Sequence, residues 1–274
     1  MTLLQSILLG IIQGLTEFLP ISSSGHLVIV PYLLGWDIPA EEAFVFDVLV
    51  QVATLAAVII YFWKDLLTIG RAFVLGLARR APFADPAART GWLLILATLP
   101  AGVIGLALKD LVEQAFNSPV ATAVFLLITA GLLFIAERLG QRTRPLQSVT
   151  WVDALWIGFA QALSIFPGLS RSGATITGGM TRDLERPAAA RFAFLMSIPI
   201  MLAAGLVAGL DLLKIPDFTR LLPVYLPGFL AAAVIGYLSI RWLLGYLTRK
   251  PLYIFSFYCT ALALLVIGLS ILGE

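Results

Sequence analysis

The sequence predicts an all-α integral membrane protein built as two inverted repeats, each a re-entrant helical hairpin followed by three transmembrane helices. Three observations carry this. The chain of 274 residues is 60% hydrophobic and 12% charged, with a mean hydropathy of +0.97, whereas soluble domains carry roughly 25% charged residues. Six apolar runs come close to the about 20 residues a helix needs to cross a bilayer. Two further apolar stretches, one in each half, are broken mid-run by Pro, Gly and Ser and echo each other.

In chain order, Leu3–Leu34 is the first broken stretch. Interrupted backbone at membrane depth is tolerated only when protein buries it or it lines a wet cavity, so a re-entrant hairpin is expected. Spans follow at Phe44–Trp63, Gly91–Leu108 and Val120–Ala136. Trp151–Met180 is the second broken stretch, followed by spans at Pro187–Leu210, Leu222–Leu244 and Leu252–Leu272. The first repeat is thus placed at residues 1–149 and the second at 150–274 of one membrane domain.

Basic residues in short loops set orientation. Lys64, Arg71, Arg79, Arg80 and Arg89 mark one basic segment; Arg138, Arg142 and Arg144 a second; Arg182, Arg186 and Arg191 a third; Arg249 and Lys250 a fourth. Asp37, Glu41 and Glu42 are acidic, and Lys109–Glu113 and Asp211–Arg220 are mixed. With the basic loops in the cytoplasm, the six spans alternate without conflict. Trp151–Met180 then enters and leaves on the cytoplasmic side, while Leu3–Leu34 does so from outside, and the two tips meet near mid-membrane.

Net charge of +2 says little about partners, and no nucleic acid is expected. The one cysteine, Cys259, rules out an intramolecular disulfide and reads as a packed or lipid-facing thiol. Met1–Leu9 lacks a basic n-region, so no cleavable signal peptide is expected.

The echo is concrete. Gln13-Gly14-Leu15-Thr16-Glu17-Phe18-Leu19-Pro20-Ile21-Ser22-Ser23-Ser24-Gly25-His26 is matched by Gln161-Ala162-Leu163-Ser164-Ile165-Phe166-Pro167-Gly168-Leu169-Ser170-Arg171-Ser172-Gly173-Ala174. From Gly10/Gly158 to Gly25/Gly173, seven of sixteen aligned pairs are identical, including Gln13/Gln161, Ser22/Ser170 and Ser24/Ser172. A pair of broken helices in corresponding positions points to a binding site where the repeats meet.

The residue types indicate an anionic ligand. Gln13 and Glu17 share a helical face. Ser22, Ser23 and Ser24 are natural N-cap residues, and the free N–H groups of a helix start favour phosphate. Gly25 leaves room for close approach. His26 lies at helical spacing from Ser22 and Ser23, so its ring is expected to reach either hydroxyl, and a Ser beside a His is a minimal activated nucleophile. In the second tip, Arg171 at membrane depth calls for an anion, and guanidinium fits phosphate oxygens bidentately; Ser170, Ser172 and Thr175 add donors. Asp47, Gln51 and Thr54 form a polar stripe on the first full span that suits a cavity lining or a catalytic part equally.

Residues 13–26 and 166–175 resemble the two signature motifs of the bacterial undecaprenyl-diphosphatase family, the bacitracin-resistance membrane proteins. The likeness extends over nearly the whole chain. It implies removal of the terminal phosphate of undecaprenyl diphosphate, a polyprenyl diphosphate lipid, to regenerate the carrier for peptidoglycan synthesis. It also implies a divalent metal (Mg²⁺ or Ca²⁺), a bacterial inner-membrane location, an active site open to the outer face and a possible homodimer. By motif position Glu17, Ser23, His26 and Arg171 would be catalytic. Ser22, Ser24, Gly25, Ser170, Ser172 and Thr175 would bind phosphate, and Glu17 and Gln13 the metal. Many members carry Glu at the place of Gln13, so the carry-over is firmer for Glu17; Asp47 is a candidate for the missing carboxylate. Either Ser23 attacks with His26 as base, or His26 attacks directly.

Two other readings remain at this stage. The type 2 phosphatidic acid phosphatases require two histidines, and this chain has one. A lipid or anion transporter or flippase without hydrolysis would use the same broken, repeated helices, but it has no need of the Ser-His pair beside Glu and Arg.

Overall fold

Proline and glycine punctuate the chain where the sequence predicts. The computed structural model describes residues 1–108, 118–212 and 218–272; the mixed segment Lys109–Glu113 and residues 213–217 of the other mixed segment lie outside the described residues. Helix α1 (Leu3–Phe18) starts in a capping box, Thr2 accepting from the Gln5 N–H and the Gln5 side chain from the Thr2 N–H. It stops before Leu19, which is extended (φ −64°, ψ 141°), because a residue preceding proline is pushed out of the helical region. Helix α2 (Ser23–Leu34) ends on Gly35 at φ 62°, the left-handed position that glycine takes without a Cβ penalty.

Then follow α3 (Ala40–Tyr61), α4 (Trp63–Ala78), α5 (Pro86–Ala107), α6 (Pro119–Leu139) and a 3₁₀ turn at Leu146–Ser148. The second half holds α7 (Trp151–Leu163), α8 (Arg171–Met180), α9 (Arg186–Leu212), α10 (Phe218–Leu247) and α11 (Tyr253–Leu272). Among the described residues there are eleven α-helices and no strand. Six of them, α3, α5, α6, α9, α10 and α11, are long and apolar enough to cross a membrane. The protein is a multi-pass membrane protein, and each expected span is present within a few residues.

One element differs from expectation. The basic segment after the first span is not simply a loop: its first part is α4. Leu66, Ile69 and Phe73 face the protein, while Trp63, Leu67, Val74 and the basic Lys64 and Arg71 are exposed. Basic residues recur often enough there to hide a 16-residue helix.

Packing crosses between the halves: α1 lies along α10, and α7 along α5. Glycine makes both contacts possible. A Cβ on Gly10 would sit 2.2 Å from the Gly228 carbonyl oxygen, and one on its counterpart Gly158 would sit 2.4 Å from that of Ala97. Helix α6 packs on α11 and touches both α2 and α8. The core runs through Phe18, Phe62 and Phe194, with Phe18 edge-on to Phe194 at 5.5 Å. Cys259 is packed within this core.

The basic loops are tied down by buried carboxylates. Asp153, at the start of α7, accepts from Arg144 (2.6 Å), Arg182 (2.8 Å) and the Thr150 N–H (2.9 Å). Burial alone would raise this carboxyl, but the two guanidinium groups and Thr150 outweigh it and hold it well below the usual carboxylate range. Glu137, at the end of α6, accepts from Arg186 and Arg142 and from the Leu252 N–H at 2.8 Å. Arg191 pairs with Asp65 at 2.6 Å, joining α9 to α4. These pairs tie together the ends of α6, α7, α8 and α9.

Candidate active site

Two short turns, Leu19–Ser22 and Ser164–Ser170, end in matching helix caps. Ser22 caps α2 by accepting from the Gly25 N–H at 3.3 Å; Ser170 caps α8 by accepting from the Gly173 N–H at 3.0 Å. Each cap hydroxyl also faces the serine two positions on, Ser24 at 3.4 Å and Ser172 at 3.2 Å. The paired Ser-x-Ser-Gly of the sequence therefore makes the same cap hydrogen bonds twice, with Ser170 extended at φ −65°. Ser22 makes them at φ 68°, a left-handed conformation that costs a non-glycine residue about 1–3 kcal/mol and persists only where surroundings impose it.

The turns touch. A Cβ on Gly25 would come within 3.0 Å of the Gly168 Cα, and Ser172 donates to the Leu19 carbonyl at 3.0 Å. The close approach expected at Gly25 is made by the other turn. Thr129 of α6 holds the second turn from behind, donating to the Gly168 carbonyl at 2.9 Å and accepting from the Ser170 N–H at 2.9 Å.

Glu17 is the hub. It is 7% exposed, and its Oε2 accepts from Gln13 Nε2 at 3.0 Å and from Ser23 Oγ at 2.5 Å. Its Oε1 accepts from Arg171 Nη2 in an ion pair. Among the described residues the other guanidinium nitrogens of Arg171 have no acceptor, and its side chain is 25% exposed. A carboxylate only accepts, so the Gln13 amide nitrogen must face it; that leaves Gln13 Oε1 buried with no partner. A small cavity opens beside this cluster, lined by Glu17, Arg171, Ser172, Thr175 and, from α9, Ala193 and Ser197.

His26 departs from the expected geometry. It makes no hydrogen bond to a serine hydroxyl: its Nδ1 meets the Ser22 carbonyl at 2.7 Å and its Nε2 meets the Tyr258 hydroxyl of α11 at 2.8 Å. Ser23, next to the left-handed Ser22, bonds Glu17 instead, a stronger acceptor than a neutral imidazole. Thr175 back-bonds to the Arg171 carbonyl at 2.8 Å while facing the cavity. Asp47 makes no hydrogen bond or ion pair among the described residues, and Thr54 back-bonds within α3. The sequence reading missed Tyr258, Thr129 and Ser197. Each lies on a long span, where a lone polar residue carries no local signal.

The helix ends flanking the touching turns offer a guanidinium with free donors, two helix N-termini and a hydroxyl hydrogen-bonded to a carboxylate, with an imidazole in the first turn of α2. That set suits a phosphate group.

Comparison with known proteins agrees. Residues 6–265 match the family described as bacitracin resistance protein BacA. The chain is 42% identical to the undecaprenyl-diphosphatase of Thermomicrobium roseum, over 97% of this chain and 98% of that protein. It is 44% identical to that of Chlorobaculum parvum, over 99% and 96%, and 40% identical to that of Myxococcus xanthus, over 100% and 91%. With a family match from one end of the fold to the other and relatives at this identity, the chain belongs to the bacitracin resistance protein BacA family.

Proposed function

We propose that this protein is an undecaprenyl-diphosphate phosphatase, hydrolysing the terminal phosphate of the lipid diphosphate and thereby supporting cell-wall synthesis and bacitracin resistance. The observation that carries the reading is Glu17, which holds Ser23 of its own half and Arg171 of the other on one carboxylate. The names of the relatives point to the same reaction.

In this reading the fold is an inverted-repeat arrangement with two re-entrant hairpins, in a bacterial inner membrane. At 1.5 Å per residue, α1, α2, α7 and α8 are about 24, 18, 20 and 15 Å long, each short of the roughly 30 Å hydrocarbon core. The matching caps and the crossed α1–α10 and α7–α5 contacts fit the same symmetry. Basic loops on the cytoplasmic side leave the first hairpin, and the site, facing outward.

The lipid tail stays in the bilayer while the diphosphate enters beside Glu17 and Arg171, where the small cavity must widen to admit it. Arg171 swings its unpaired nitrogens onto phosphate oxygens, and the N-termini of α2 and α8 add N–H donors; neutralising these oxygens is the main demand of phosphoryl transfer. Ser23 Oγ attacks the terminal phosphorus, passing its proton to Glu17, and the bond to the bridging oxygen breaks to release the lipid monophosphate. Water then attacks the phosphorus with His26 Nε2 taking its proton, the bond from phosphorus to Ser23 Oγ breaks, Glu17 returns its proton to Ser23 Oγ, and inorganic phosphate leaves, carrying the proton from His26. This assigns the base of the first step to Glu17, because Ser23 donates to it and not to His26.

The donor set fits a hard divalent cation. Gln13 Oε1 is buried without a partner beside a carboxylate, and an oxygen-only set of one carboxylate plus substrate phosphates suits Mg²⁺. Among the described residues no group of three or more acidic, His or Cys side chains is gathered, so Glu17, Gln13 and the substrate would hold the ion together. When bound, it supplies positive charge against the phosphate oxygens.

The test is phosphate release from a short soluble isoprenyl diphosphate by the detergent-solubilised protein, with and without chelator. Turnover abolished by Arg171→Ala is the expected result; binding of the lipid without release contradicts the reading.

A further inference from the structure

We propose that Tyr258 is a positioning residue for His26: the Ser22 carbonyl sets the tautomer, and the phenol, hydrogen-bonded to the remaining lone pair on Nε2, holds the ring in place. The inference rests on His26 acting as described above.

His26 is 4% exposed, so protein alone decides its hydrogen bonds. Its Nδ1 lies 2.7 Å from the Ser22 carbonyl oxygen. A carbonyl oxygen only accepts, so Nδ1 carries the proton, and in a neutral imidazole Nε2 is then the acceptor. Nε2 lies 2.8 Å from the Tyr258 hydroxyl, with the two rings within 4° of parallel. A phenol can donate or accept; facing an acceptor, it donates. The pair therefore forms a directed chain, Tyr258 O–H to Nε2 and Nδ1–H to the Ser22 carbonyl.

Tyr258 is well placed for this. Its neighbours lock α11 against the first turn and α6: Ser256 donates to the Ala130 carbonyl at 2.7 Å, and Cys259 Sγ points at the Pro20 carbonyl at 3.9 Å. A second bond, Tyr32 to Ser270 at 3.1 Å, ties α2 to α11 further along. The phenol is anchored at its backbone, and the residue is 44% exposed. In the free protein its bond keeps Nε2 aimed, ready for the proton of the attacking water.

The chain has a single histidine, so both imidazole nitrogens can be observed without assignment by labelling histidine with ¹⁵N in the full-length, detergent-solubilised protein. The wild type should show a protonated Nδ1 and an unprotonated, hydrogen-bonded Nε2. In Tyr258→Phe, Nε2 should move toward the value of a free, unbonded nitrogen. The same variant should lower kcat for phosphate release from a short isoprenyl diphosphate about tenfold, the worth of one hydrogen bond, with KM within about twofold. Packing loss alone would leave the nitrogen signal in place. The proposal is overturned if the wild type carries its proton on Nε2, if Tyr258→Phe leaves Nε2 unmoved, or if the signal moves and kcat does not. Failure of the wild type to release phosphate would instead remove the phosphatase reading, and the nitrogen spectrum would still decide the Tyr258 bond.

Discussion

Glu17 and Arg171, 154 positions apart in sequence, form an ion pair that joins the α1–α2 turn to the α7–α8 turn. Each residue has the other as its only opposite charge among the described residues. On the proposed reading, phosphate would enter a site in which charge is already balanced, and Arg171 would share its guanidinium between Glu17 and substrate. The planar fork of arginine suits this double task, since one edge can hold the carboxylate while another meets phosphate.

Arg171→Lys should consequently be almost as damaging as Arg171→Ala. An ammonium is a single point of charge and cannot serve both partners at once. We expect kcat/KM for phosphate release to fall by about 100-fold or more in both, in line with loss of one donor to a developing charge. A lysine variant within about threefold of wild type would show that one contact suffices.

Gln13→Glu should lower the Mg²⁺ concentration that gives half-maximal activity. It places a second carboxylate beside Glu17, where the wild type has an amide oxygen without a partner. Ligand charge tunes the affinity of oxygen sites, and a shift of about tenfold is expected in a metal titration of turnover. No shift would place the cation away from Gln13.

Gly10→Ala and Gly158→Ala should each disturb assembly of the halves. The added methyl would lie 2.2 Å or 2.4 Å from a backbone oxygen of the facing helix, which cannot rotate away. Overpacking of this kind costs about 1–3 kcal/mol or more, so a lower midpoint in thermal unfolding in detergent is expected. Gly131→Ala, with nothing within 4 Å of the new Cβ, is the control and should be neutral or mildly stabilising.

Asp153→Asn should destabilise the protein on the order of 2–3 kcal/mol at neutral pH, less than a fully buried pair because both guanidiniums are partly solvated. The folded carboxyl is held below its ordinary value, so its contribution is complete above the unfolded pKa of about 3.9 and is lost as pH falls through the folded value. Thermal unfolding of wild type and variant should therefore differ most at neutral pH and converge in strong acid. A gap that widens on acidification would contradict the sign.

The sequence makes the spans and the two breaks legible for a simple reason. Long apolar runs and Pro-Gly-Ser interruptions are local signals, and bilayer thickness leaves few alternatives. That Glu17 and Arg171 could pair was legible too, because charged groups in apolar stretches need partners. What escaped was non-local or conformational. Ser23 bonds Glu17 rather than His26, next to a Ser22 of positive φ, and nothing in a run of three serines announces either. Tyr258 lies 232 positions from His26, in a span where a tyrosine reads as an interfacial residue. Helix α4 was hidden by its own basic residues, and Gly10 and Gly158 matched in the repeat before the crossed packing gave them a reason.

The most direct measurement is to quench the turning-over protein in acid with a diphosphate labelled in its terminal phosphate and map the label by mass spectrometry. The account predicts phosphoserine at Ser23, absent in Ser23→Ala. Label on His26, or no label together with a single inversion at phosphorus, would contradict it.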